Sequence, residues 1–141
     1  MSFSLRVGLA ITAGALATLL TSPDTLAATH ASHSHIAEYT IVTSEIKSKP
    51  KGIQEIEVYR FDPGVVIAHL GDEVILHFYG VNGSVHPITI AAFGARTVVR
   101  RGEVATVKFK ASRLGSFPIV CEIHRSKEQH GPMIGTLVVL P

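Results

Sequence analysis

One cysteine, Cys121, is followed closely by His124, His130 and Met133 in the stretch FPIVCEIHRSKEQHGPMIGTLVVL. A thiolate, imidazoles and a thioether on a single loop are the ligands copper prefers: soft sulfur stabilises Cu(I), and imidazole tolerates both oxidation states. The paired cysteines of a structural zinc finger are missing from the sequence, and no Ser-His-Asp or paired-carboxylate pattern suggests hydrolytic chemistry. A trigonal copper site takes two histidine nitrogens and one cysteine sulfur, with a methionine on a long axial bond. Such a site needs one ligand from the first half of the domain, and His86, far upstream, is the candidate that the fold must bring in.

The totals fit this picture. A chain of 141 residues suits one domain, and 46% hydrophobic residues suffice for a core. The formal charge of +2 is small and dispersed, with no Lys/Arg block, so nucleic acid is not an expected partner. A single cysteine excludes an internal disulfide. In an oxidising compartment a leftover thiol calls for a reason to persist, and metal ligation is one.

Residues 1–28 read as a secretory signal. Arg6 supplies a positive charge, VGLAITAGALATLL an apolar run too short for a stable anchor, and TLAA a small-residue end. A periplasmic location with no membrane insertion after cleavage is the expectation. Residues 29–37 form a short His-rich tail, expected to be disordered. If cleavage follows Ala27, the amine of Ala28, two amide nitrogens and the His30 imidazole make a square-planar chelate for Cu(II), with His33 and His35 close by. That would be a second Cu(II) site.

From Glu38 the chain turns to short strands. EYTIVTSEI and IQEIEVYRF alternate around KSKPKG, with Ile53, Ile56, Val58 and Phe61 expected in the core. GVVIAHL and EVILHFYG follow, joined at Leu70-Gly71-Asp72, and Val74, Leu76 and Phe78 share one face. HPITIAAF, a strand pair around Arg101-Gly102, FPIVC and GTLVVLP complete the set, with room for a short helical turn near AAFGARTVV. Many short strands with frequent turns predict an all-β Greek-key β-sandwich over residues 38–141.

At this point the sequence resembles a family, the cupredoxins, over about Ile53 to Leu140. GVVIAHLGDEVILHF is similar to the family's paired strands, and VNGSVHPITI to the segment supplying the first histidine ligand, which would be His86. The spacing of Cys121, His130 and Met133 is similar to that in the copper-A domain of cytochrome oxidase subunit II. His124 stands near that domain's second cysteine, which argues against a binuclear centre needing two thiolates. LHFYGVNGSVHPITIAAFGARTVVRRGE and CEIH are similar to nitrosocyanins, red copper proteins in which the cysteine, two following histidines and an upstream glutamate bind copper. Here His86 stands at the upstream position and Met133 is added, which implies a type 1-like set. The preferred set is His86, Cys121, His130 and Met133, with His124 as the alternative or an additional ligand. His69 and His77 are expected to be surface or packing residues.

The resemblance implies a mononuclear copper protein, not an enzyme, acting in copper tolerance or in electron transfer with a periplasmic redox partner. The alternative is a nitrosocyanin-like protein that binds or transforms a small molecule. The His-rich tail favours tolerance, and Met133 favours a closed site. Many cupredoxins place asparagine after the first histidine, and its N–H helps hydrogen-bond the cysteine sulfur. Pro87 has no N–H, which leaves the thiolate more electron-rich and favours Cu(II). Pro87→Asn is therefore expected to raise the reduction potential, and voltammetry showing a fall would refute this.

Overall fold

The computed structural model describes residues 35–141. The expected secretory signal, most of the expected tail, and the candidate ligands Ala28, His30 and His33 lie outside the described residues. Nine strands make up the domain: β1 (Ile36–Ser48), β2 (Ile56–Asp62), β3 (Val65–His69), β4 (Glu73–Gly80), β5 (Val85–Ile90), β6 (Ala95–Arg100), β7 (Val104–Lys110), β8 (Gly115–Cys121) and β9 (Ile134–Leu140). β1 begins two residues ahead of Glu38. Short 3-10 turns at Ala91–Phe93 and Lys127–Gln129 are the only helical elements among the described residues, the first falling in the AAFGARTVV region.

The strands form two sheets, ordered β2-β1-β4-β7 and β3-β9-β8-β5-β6. Both are mixed, because β1 pairs in parallel with β4 and β3 in parallel with β9. The tight turn between β3 and β4 carries the chain from one sheet to the other, as does the turn between β6 and β7. These two connections therefore look like hairpins in sequence but join opposite layers of a Greek-key sandwich.

Between the layers lies one core. Ile41, Phe61, Val74, Leu76, Phe78 and Val107 come from the four-stranded sheet, and Val66, Ala68, Ile88, Ile90, Val99, Ile119, Leu137 and Val139 from the other. Burying each of the larger side chains stabilises the fold by about 1.5–3 kcal/mol. The expected face of β4 is the inward one, since Val74, Leu76 and Phe78 are all fully buried.

The expectation for β2 needs correction. Phe61 is buried at 3% exposure, but Ile53 and Ile56 are 58% and 50% exposed. Ile53 lies in the loop before β2, and β2 is an edge strand paired only with β1. Side chains alternate along a strand, so the parity of Phe61 turns Tyr59, not Val58 or Ile56, toward the interior. Tyr59 accordingly packs against the core.

Candidate metal centre

The ligand candidates stand at one end of that core, as a continuation of its inward faces. On β5 the buried positions are His86, Ile88 and Ile90. On β8 they are Ile119 and Cys121. β5 and β8 are antiparallel with Ile88 opposite Cys121, so His86, two residues on, comes level with the chain just leaving β8. A tight turn follows Cys121 and brings the His124 ring back over the sulfur.

The resulting cluster is His86, Cys121 and His124, whose ligand atoms all lie within 4.8 Å of one another. Cys121 Sγ is 3.7 Å from His86 Nδ1 and 3.3 Å from His124 Nδ1. His86 and Cys121 are fully buried, and His124 is partly exposed. His86 Nε2 lies 2.7 Å from the Asn82 carbonyl oxygen. A carbonyl only accepts, so Nε2 carries the proton and Nδ1 is left with a bare lone pair aimed at the cysteine. A hydrogen bond on the far nitrogen is how metal-binding histidines are oriented.

Met133 is fully buried and tied to the cluster through its backbone. Its carbonyl accepts from the Cys121 N–H at 3.1 Å, and its N–H donates to the His124 carbonyl at 2.8 Å. The methionine thus sits in the strand-entry position that locks the loop's two ends together.

His130 is placed differently. It lies outside the cluster, exposed, with a left-handed backbone at φ 55°. Its carbonyl accepts from the Tyr59 N–H at 2.8 Å, and its N–H donates to the Lys127 carbonyl at 3.1 Å. The structure therefore brings His124, rather than His130, to Cys121. His35 is at the opposite end of β1, where its carbonyl accepts from the Glu73 N–H. His77 bridges Glu38 and Thr106 on the sheet surface, and His69 is exposed beside Asp72, both away from the cluster.

Tyr59 is the site residue that the sequence reading missed. Its ring stacks on His124 with centroids 4.4 Å apart and an interplanar angle of 29°. It also lies 5.5 Å from the His86 ring and 6.4 Å, edge-on, from the His130 ring. Burial raises the pKa of its hydroxyl, helped by hydrogen bonding with Glu57 and the charges of Glu45 and Glu57.

Burial also governs the ligands. It pushes the Cys121 thiol up, more than the backbone amides of Ile123 and His124 pull it down. It lowers His86 against the opposing hydrogen bond to Asn82, and lowers His124 with further help from His86 and His130. Without metal, the three groups are neutral. The unfolded chain takes up protons on these histidines below their ordinary value of 6.5 while the folded one resists, so their contribution is full above 6.5 and lost as pH falls. The unfolded thiol ionises near 9.0 while the folded one holds its proton, so that contribution is full below 9.0 and lost as pH rises. Denaturation of the metal-free protein should therefore show a stability plateau between these values. Undiminished stability at about pH 5 and about pH 10 would contradict it.

No family profile matches the chain, and no curated protein matches it. Solved structures do. A multicopper oxidase, mgLAC, superposes with a TM-score of 0.60 at 22% identity, over 75% of this chain and 39% of its own. The blue copper oxidase of Nitrosomonas europaea gives 0.61 at 17%, over 76% and 39%. The Cu-containing nitrite reductase of Thermus scotoductus SA-01 gives 0.59 at 22%, over 75% and 28%. The domain has a cupredoxin fold. The chain spans between 28% and 39% of the length of these three proteins.

These similarities correct the expectation that the chain is not an enzyme. The cupredoxin fold occurs in proteins named as oxidases and as a nitrite reductase. In metal-dependent redox chemistry the metal carries the reaction, so a missing acid–base triad is no argument against catalysis.

The donor set fits copper. One soft sulfur and two imidazole nitrogens converge, His86 Nδ1 has its lone pair free, and the cluster sits at the dry end of the core.

Proposed function

We propose that this cupredoxin domain is an exported, periplasmic copper protein with one mononuclear type 1-like site. His86, Cys121 and His124 would hold the copper through two imidazole nitrogens and a thiolate, and Met133 would add its thioether. The observation that carries the reading is the convergence of the Cys121 sulfur and two Nδ1 atoms at the end of a rigid core. Copper bound there would supply a Cu(II)/Cu(I) couple. The protein's own part is to hold the donors still: His86 through Asn82, and the Cys121–Met133 loop through its paired backbone bonds. A site that changes little between oxidation states suits either electron exchange or secure retention of the ion. Copper tolerance is the role favoured by the His-rich sequence that precedes the domain, which would add a Cu(II) site and has no use in a simple electron carrier.

A second reading is a copper-dependent reaction on a small molecule. It is favoured by the partial exposure of His124 and by a surface cleft of about 490 Å³ lined by Glu55, Glu57, Lys127, Glu128 and His130.

Addition of Cu(II) to the purified protein is the test. One equivalent should produce an intense visible thiolate-to-copper band, and colourless binding would overturn the type 1-like reading. Copper-sensitive growth of a deletion strain with intact respiration supports tolerance, whereas impaired respiration at low copper supports electron transfer.

A further inference from the structure

We propose that Tyr59 selects which loop histidine serves the metal cluster, holding His124 against Cys121 and keeping His130 outside; this rests on the copper reading above. Three site histidines surround this one ring, and they meet it differently. His124 lies against its face, His86 is tilted beside it, and His130 meets it nearly edge-on at 83°. The same residue anchors the competing histidine by its backbone, since the Tyr59 N–H holds the His130 carbonyl. His130 is the one non-glycine residue with a positive φ among the described residues, a conformation that persists only where neighbours enforce it. The two functions of Tyr59 separate cleanly. The main-chain bond survives any substitution other than proline, and only the ring is lost when the side chain is cut back.

Sequence chemistry alone makes both histidines competent. Each is an imidazole on the loop following Cys121, and each is within ring-contact distance of Tyr59. What distinguishes them is that the phenol occupies the ground beside His124 and His86. With that ring removed, His130 gains access to the cluster. Tyr59 is thus a positioning residue: it acts on the ligand set through the histidines and needs no contact with the metal.

The test uses the thiolate-to-copper band in full-length protein, with Cu(II) as the probe. His124→Ala should be colourless, because Tyr59 still excludes His130. Tyr59→Leu/His124→Ala should regain the band at a shifted wavelength, and adding His130→Ala should abolish it again. Tyr59→Phe/His124→Ala should stay colourless, because phenylalanine keeps the ring. Tyr59→Val serves in place of Tyr59→Leu should the latter fail to fold, circular dichroism deciding which is used. Colour in His124→Ala alone overturns the proposal. So does a colourless Tyr59→Leu/His124→Ala when Tyr59→Leu itself is coloured. A wild type that binds copper without colour overturns the underlying reading, and this proposal with it.

Discussion

Cys121→Ser is expected to keep the fold and lose the visible band, with Cu(I) affinity reduced by more than about a hundredfold. Changes to residues that only support a ligand cost about 10–100-fold in metal affinity, and here the ligand itself is removed. A serine oxygen is hard and protonated at neutral pH, whereas Cu(I) prefers soft sulfur. The fold should survive because the change is nearly isosteric and the new hydroxyl has partners. His86 Nδ1 and His124 Nδ1 both flank the position, so the buried oxygen can donate a hydrogen bond. A buried, hydrogen-bonded hydroxyl changes stability by only about 1 kcal/mol. Competition with a Cu(I) chelator and denaturation of the metal-free variant check the two halves separately. Unchanged Cu(I) affinity in a folded variant would remove Cys121 from the ligand set.

Gly83→Ala should damage the site severely from a position outside the ligands. Gly83 has φ +77°, and a Cβ there would come within 2.4 Å of His86 Nε2 and 2.7 Å of its Cε1. The added methyl group must displace the imidazole or the loop. Displacing the imidazole breaks the bond to the Asn82 carbonyl, which keeps only the Thr43 hydroxyl as donor, at a cost of about 0.5–1.5 kcal/mol. Left-handed strain adds about 1–2 kcal/mol. Copper affinity should fall about 10–100-fold, since the lost bond is the one that orients His86. Gly102→Ala is the control, with φ +79° and nothing within 4 Å of the added atom. It shares the strain without the collision, so its copper affinity should match wild type. Equal affinities in the two variants would show that the Gly83 contact does not govern His86.

Much of the fold is legible in the sequence because period-2 alternation and turn residues act locally. Val74, Leu76 and Phe78 declare the inner face of β4 without help from the rest of the chain. Sheet membership is not local. Leu70-Gly71-Asp72 reads as a tight turn whether the strands pair or cross between layers, and here they cross. β2 shows a different failure: its aliphatic residues suggest a buried face, yet Ile56 faces outward and the aromatic parity, Tyr59 with Phe61, marks the inner side. Tyr59 escaped notice for that reason.

The site follows the same division. Cys121 and its following histidines announce soft-metal chemistry by type alone. The placement of His124 depends on the turn after β8, and that of His130 on a left-handed residue clamped by Tyr59 from a distant strand. Spacing along the chain carries no trace of that clamp.

β1 has a consequence beyond pairing. Its first residues lie beside Glu73 at the start of β4, and Thr43 lies beside Gly80 at the end that leads to Asn82 and His86. At about 3.3 Å per residue, those two levels are about 23 Å apart. The last strand leaves by the same far end, where the Leu70 N–H donates to the Leu140 carbonyl. Both connections of the domain thus emerge at one pole and the histidine–cysteine cluster at the other. Such an arrangement is modular: the unit can be tethered to an electrode, a tag or a neighbouring domain through either connection, with its metal-binding pole still facing outward.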